Sequence, residues 1–204
     1  FEEKADVYLI NTCSVTNMAD RKSRQMLHRA KKQNPDAVIV AAGCYVQGSA
    51  KEILERGDAD LVIGNNQKAR LPELLKTFFE DPEPEQAGVD LSHASKYELM
   101  TLKRTAEHTR AFIKIQDGCN QFCSYCIIPY MRGRIRSRAL SDILSEVENL
   151  AAQGYKEVVL TGIHLSSYGK DFLEHPPAGL DGTALVEVIR SVAAIPGIAR
   201  VRLG

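Results

Sequence analysis

Ala111-Phe112-Ile113-Lys114-Ile115-Gln116 runs directly into Asp117-Gly118-Cys119-Asn120-Gln121-Phe122-Cys123-Ser124-Tyr125-Cys126. The first six residues read as a strand, and the rest of the stretch reads as a loop with cysteines spaced C-x3-C-x2-C. In a parallel sheet the loops at the carboxyl ends of strands build the active site, so these cysteines stand where a cofactor belongs. Three thiolates so closely spaced can wrap three corners of a cubane, and soft sulfur ligands suit iron–sulfur clusters. Structural zinc takes four closed ligands, and no fourth Cys or His lies in the loop. The alternative is zinc with His108 or His164 as the fourth ligand. Tyr125, taken alone, reads equally well as a core aromatic.

Around this stretch, strands alternate with helices. Upstream, Val7 to Ile10, Ala37 to Ala42 and Asp60 to Ile63 read as strands. Helices are predicted over Met18 to Gln33, with Asn17 as cap, over Gln47 to Arg56, and over Leu71 to Phe79. Downstream, a helix over Leu140 to Gln153 with Ser141 as cap precedes a strand at Glu157 to Leu160. A long loop, a helix over Thr183 to Ala194 and a strand at Ala199 to Leu203 follow. Such alternation predicts parallel sheets faced by helices. The Pro-rich acidic run Asp81-Pro82-Glu83-Pro84-Glu85 interrupts it. The expected organisation is a domain over residues 1–79, a linker over 80–108 and a second domain over 109–204.

The 204 residues are 44% hydrophobic and 25% charged, a globular composition without a membrane-length apolar run or a signal leader. Five cysteines, an odd number, argue against an extracellular disulfide framework and for cytoplasmic thiols kept reduced for metal. The chain opens on Phe1 and stops within a strand-like run, so it reads as part of a longer protein. The net charge of zero hides segregation: residues 100–138 carry eight Lys or Arg against Glu107 and Asp117. Arg132, Arg134, Arg136 and Arg138 alternate, which on an extended segment puts them on one side. They suit phosphate contact, or salt bridges to nearby acids. Arg21, Lys22, Arg24, Arg29, Lys31 and Lys32 suit either a basic surface or a solvated helix face. His164 could face the site or simply be exposed. Cys13 and Cys44, as lone residues, read as small buried hydrophobes.

The loop from Asp117 to Pro129, with Tyr125 before the last cysteine and Arg132-Gly133 and Arg136-Ser137-Arg138 after it, resembles the methylthiotransferase family of radical S-adenosylmethionine (SAM) enzymes. Asn11-Thr12-Cys13-Ser14-Val15-Thr16 and Ala42-Gly43-Cys44 resemble that family's N-terminal domain. Val15-Thr16, Tyr45-Val46-Gln47 and Thr161-Gly162-Ile163-His164-Leu165-Ser166-Ser167-Tyr168-Gly169 look most like its tRNA threonylcarbamoyladenosine branch. The resemblance implies a small flavodoxin-like α/β domain followed by the first half of an open (β/α) radical SAM barrel. It implies a [4Fe–4S] cluster on Cys119, Cys123 and Cys126, and a second on Cys13, Cys44 and a cysteine upstream of Phe1. It also implies cofactor contacts at Tyr125 and Gly162 and RNA contacts at Arg132, Arg136 and Arg138.

In that family SAM binds at the open iron and is cleaved to a 5′-deoxyadenosyl radical, which abstracts hydrogen from C2 of a modified adenine at tRNA position 37. Sulfur at the second cluster, methylated by another SAM, completes the methylthio group. The implied partners are a tRNA anticodon loop, whose bases splay readily into a pocket, and an electron donor such as flavodoxin. No membrane partner is expected. The other readings are an isopentenyladenosine or ribosomal-protein aspartate substrate, a non-catalytic metal-stabilised RNA-binding module, or an electron-transfer protein. The family's remaining barrel and C-terminal RNA-binding domain are expected outside this chain, which alone should turn over weakly or not at all.

Overall fold

The computed structural model describes residues 3–82, 85–87, 97–99, 109–172 and 184–204. They form two compact units. One comprises residues 1–94 with 122–133, and the other 95–121 with 134–204.

The first unit is a parallel sheet in the order β1 (Val7–Thr12), β2 (Val38–Gly43), β3 (Leu61–Ile63), β4 (Glu85–Ala87). Helix α1 (Asn17–Gln33) joins β1 to β2, α2 (Cys44–Glu55) joins β2 to β3, and α3 (Leu71–Glu80) leads to β4. Every residue of β2 is buried, because alternate side chains serve two cores. Ile39 and Ala41 pack with Leu27, Ala30, Val46 and Ile53 of α1 and α2, while Val38, Val40 and Ala42 pack with Leu61, Ile63 and Leu74. Burying each of the Val, Leu and Ile side chains among these contributes about 1.5–3 kcal/mol.

Two details of this unit differ from expectation. The cap of α1 is Thr16, one residue earlier than Asn17, because its hydroxyl accepts from the Ala19 amide at 3.1 Å. Strand β4 lies inside the acidic stretch read as linker. Its backbone pairs in register with β3, Leu61 opposite Glu85. Most of that stretch, with His108, falls outside the described residues.

The second unit's sheet has the order β6 (Arg136–Ser137), β5 (Arg110–Asp117), β7 (Glu157–Gly162), β8 (Arg200–Leu203). Strands β5, β7 and β8 are parallel, and β6 runs antiparallel to β5. Along β5, Ala111, Ile113 and Ile115 are buried while Arg110, Phe112 and Lys114 are exposed. The buried set packs against Ile143, Val147 and Leu150 of α5 (Leu140–Ala152) and Val188 and Val192 of α6 (Ala184–Ala193). Helix α5 begins after Ala139, which makes no side-chain cap, so Ser141 lies inside the first turn rather than capping it.

Candidate functional site

Cys13 and Cys44 arrive at one sheet edge through register. Strands β1 and β2 pair up to Thr12 opposite Gly43, and one residue further on each come Cys13 and Cys44. Ala42 pairs with Ile63, so two residues beyond that pair lie Cys44 and Asn65. The row is held from several sides. The hydroxyl of buried Ser23 accepts from the Cys13 amide and donates to the Cys13 carbonyl, both at 3.2 Å. Thr12 Oγ1 donates to the Ala42 carbonyl at 2.7 Å. Gly43 has φ +105°, and a Cβ there would lie 2.4 Å from the Thr12 carbonyl oxygen, so only glycine fits before Cys44. Cys13 is exposed and Cys44 buried, and both are free thiols.

In the second unit, the ends of the cysteine loop are pinned as a hairpin. Gln116 pairs with Ser137 and Asp117 with Arg136. The Asp117 carboxylate accepts from the Gly118 amide at 2.9 Å and from Lys114 Nζ at 3.0 Å, with Arg136 Nη2 at 3.8 Å. Asn120 Oδ1 accepts from the Ile135 amide at 3.0 Å. Gln116, fully buried, donates through Nε2 to the carbonyls of Asp117 (2.9 Å) and Gly118 (2.7 Å). Its Oε1 accepts from the His164 amide at 2.9 Å, so one side chain ties the start of the cysteine loop to the loop after β7. Sequence reasoning missed Gln116; an amide at the end of an apolar strand was its only signal.

Cys119 is buried and belongs to the second unit, while Cys123, exposed, and Cys126, half-buried, belong to the first. Phe122 turns the chain in the left-handed region at φ 47°, a conformation bulky residues rarely adopt outside functional turns. The Cys126 amide donates to the Cys123 carbonyl at 2.9 Å. Tyr125 is 91% exposed and is therefore not a core aromatic. After it comes α4 (Ile128–Arg132), a short helix, so the condition of an extended segment does not hold at Arg132.

Arg136 and Arg138, expected at RNA phosphates, are 1% and 4% exposed. Arg138 pairs with Glu146, itself 3% exposed, and donates through Nη2 to the Asp142 carbonyl at 3.1 Å. Arg136 sits by Asp117 and donates to the Arg134 carbonyl at 3.0 Å. Carboxylates on β5 and α5 draw both side chains inward, so these two are structural ion pairs and the phosphate expectation is corrected. Tyr168 completes this cluster by donating its hydroxyl to the Arg138 carbonyl at 2.6 Å. Burial pushes its phenol well above the ordinary range, which keeps it a donor. Arg132, at the end of α4, is half-buried. Gly162 ends β7, where a Cβ would meet Gln116 Oε1 at 2.9 Å; close approach of Gln116 explains its size. His164 has Nδ1 2.7 Å from Ser167 Oγ.

Residues 1–64 match the model described as uncharacterized protein family UPF0004, and residues 113–198 match that of the radical SAM superfamily. Threonylcarbamoyladenosine tRNA methylthiotransferase MtaB of Bacillus subtilis is 43% identical over 86% of this chain and 39% of its own length. The MtaB of Aquifex aeolicus is 40% identical over 100% of this chain and 47% of its own. The chain belongs to the radical SAM methylthiotransferase family. It spans less than half the length of these curated relatives. A tRNA-2-methylthio-N(6)-dimethylallyladenosine synthase of Carboxydothermus hydrogenoformans is 40% identical over 98% of the chain and 45% of its own length. Among solved structures, the radical SAM methyltransferase TsrM of Kitasatospora setae matches with a TM-score of 0.56, covering 97% of this chain and 47% of TsrM, at 15% identity. That likeness concerns the fold: a parallel α/β unit followed by part of a radical SAM barrel.

For a radical SAM methylthiotransferase, the donor set fits an iron–sulfur cluster. Cys119, Cys123 and Cys126 are free thiols on one pinned loop, soft donors three in number. Among the described residues no three His, Cys, Asp or Glu side chains are already gathered as a metal site. Nor does any described helix have the length and apolarity to cross a membrane.

Proposed function

We propose that this chain serves a tRNA methylthiotransferase that adds a methylthio group to C2 of N6-threonylcarbamoyladenosine at position 37 of the anticodon loop. The observation that carries the reading is the joint occurrence of two cysteine sets, one inside each of the two family matches, in a chain 43% identical to an MtaB enzyme. Cys119, Cys123 and Cys126 would hold one [4Fe–4S] cluster. Cys13 and Cys44, each one residue past the last β1–β2 pair, would supply two ligands of a second. With SAM and an electron donor such as flavodoxin, the first cluster supplies the one-electron chemistry that a C–H bond as weakly acidic as adenine C2 demands.

The chain's own residues position these parts. Gln116 and Asp117 fix the loop entry, Asn120 closes it on Ile135, and Ser23 clamps the Cys13 backbone. Exposed Tyr125 lies within the loop, in reach of a cofactor bound there, and Gly162 at the end of β7 lets Gln116 approach closely enough to hold the loop entry. Arg132 is the remaining candidate for a phosphate contact, since Arg136 and Arg138 are engaged internally. A cytoplasmic location accords with a tRNA substrate.

A second reading, methylthiolation of isopentenyladenosine, is favoured by the Carboxydothermus relative. The full-length protein, loaded anaerobically with iron and sulfide, should be given tRNA carrying either nucleoside. Mass spectrometry of the digested tRNA should show the methylthio gain on threonylcarbamoyladenosine. Gain only on isopentenyladenosine moves the substrate to the second reading, and gain on neither overturns the proposal.

A further inference from the structure

Asn65 lies in Gly64-Asn65-Asn66, a sequence that by itself reads as an ordinary turn. A turn asparagine usually bonds to backbone a residue or two away. This one does not. Its Nδ2 donates to Cys44 Sγ at 3.4 Å, 21 residues away, and to the Met131 carbonyl at 3.0 Å, 66 residues away. Its backbone amide donates to Gln47 Oε1 at 3.0 Å. All of these residues belong to the first unit. Asn65 is 4% exposed, and its Oδ1 is buried without a hydrogen-bond partner, as is Nε2 of Gln47. A buried polar atom left unmet costs about 1–3 kcal/mol, so a fold that keeps one requires a reason.

The orientation of the amide follows from its neighbours. A thiol or thiolate sulfur and a carbonyl oxygen both accept, so the amide end facing them must be nitrogen. Each acceptor takes one of the two hydrogens, and the bond to Met131 keeps the other hydrogen trained on Cys44. Hydrogen bonds to the sulfur ligands of an iron–sulfur cluster favour its more negative, reduced state and raise its potential.

We infer that Asn65 is a positioning residue for the Cys44 sulfur, whose N–H···S hydrogen bond raises the reduction potential of the cluster held at the N-terminal edge. This rests on the reading that Cys13 and Cys44 ligate a second cluster. It adds to that reading a residue that sets the electron affinity of the sulfur-donating centre.

The test uses the full-length protein with Cys119, Cys123 and Cys126 replaced by Ala, so that redox titration followed by electron paramagnetic resonance sees the N-terminal cluster alone. Asn65→Ala removes the donor. Asn65→Asp keeps the size and replaces the donor with a negative carboxylate. Both variants should retain iron, with the midpoint potential falling in the order parent, Ala, Asp. With the loop cysteines restored, Asn65→Ala should lower methylthio product about 10- to 100-fold, the usual effect of losing an outer-shell partner, while 5′-deoxyadenosine release is unchanged. Iron-loaded variants with the parent potential overturn the role of Asn65 and leave the cluster reading intact. Unfolding of both variants makes Asn65 a packing residue and overturns its role as well. If Cys13→Ala and Cys44→Ala bind as much iron as the parent, the cluster reading fails and the role of Asn65 goes with it.

Discussion

Cys13 and Cys44 reach their sheet edge from two different strands, whereas Cys119, Cys123 and Cys126 hang from a single loop. The first pair is brought together by parallel register and held by neutral groups: the Ser23 hydroxyl, the Asn65 amide and the backbone freedom of Gly43. The loop is pinned at its ends by a buried carboxylate, Asp117, together with Lys114 and Arg136, and Arg138–Glu146 lies just beyond. Neutral hydrogen bonds fix a backbone at small cost in desolvation. Buried ion pairs need every partner present, because removing one strands a charge in a poor solvent.

That contrast sets the order of expected damage. Arg138→Ala takes the Arg138 guanidinium away from the buried Glu146 carboxylate, and should destabilise the folded protein by about 3–5 kcal/mol in chemical denaturation. Replacing both partners together with apolar residues of similar volume should recover most of the loss. The salt dependence of tRNA binding, which counts phosphate contacts, should be the same in Arg138→Ala protein that remains folded as in the parent. A flattened slope would restore Arg138 to the RNA interface.

At the other edge, Gly43→Ala should cost about 1–3 kcal/mol from the backbone conformation alone, with the clash against the Thr12 carbonyl added. The sharper readout is local. Iron bound in the absence of the loop cysteines should fall, while the Cys119 loop of the otherwise unaltered protein should load as before. Equal loss of iron at both places would mean that the two regions are not independently held.

The same contrast explains how far the sequence could be read. The cysteine loop was legible because its spacing is local and its preceding strand alternates cleanly, Ala111, Ile113 and Ile115 inward. Helices and strands fell within a few residues of their expected bounds, since hydrophobic periodicity records the core directly. The arginine run read equally as phosphate contacts or as salt bridges, and Arg136 and Arg138 make the second. Alternation reports a shared side and says nothing of whether that side faces water, and the deciding acids, Asp117 and Glu146, lie in other elements. Gln116 and Asn65 escaped for a related reason, because their partners stand up to 66 residues away. Strand β4 escaped because backbone pairing with β3, not its own Pro-rich and acidic surroundings, makes it a strand.

The methylthiotransferase activity proposed for this chain depends on Cys119, Cys123 and Cys126 holding an iron–sulfur cluster that cleaves SAM. The most direct measurement is 5′-deoxyadenosine release from SAM by the anaerobically reconstituted, chemically reduced full-length protein, with its metal content determined on the same sample. The parent should be iron-rich and should release 5′-deoxyadenosine. The triple Cys→Ala variant should release none while keeping whatever iron the N-terminal cysteines bind. Stoichiometric zinc without iron uptake, or undiminished SAM cleavage in the triple variant, would contradict it.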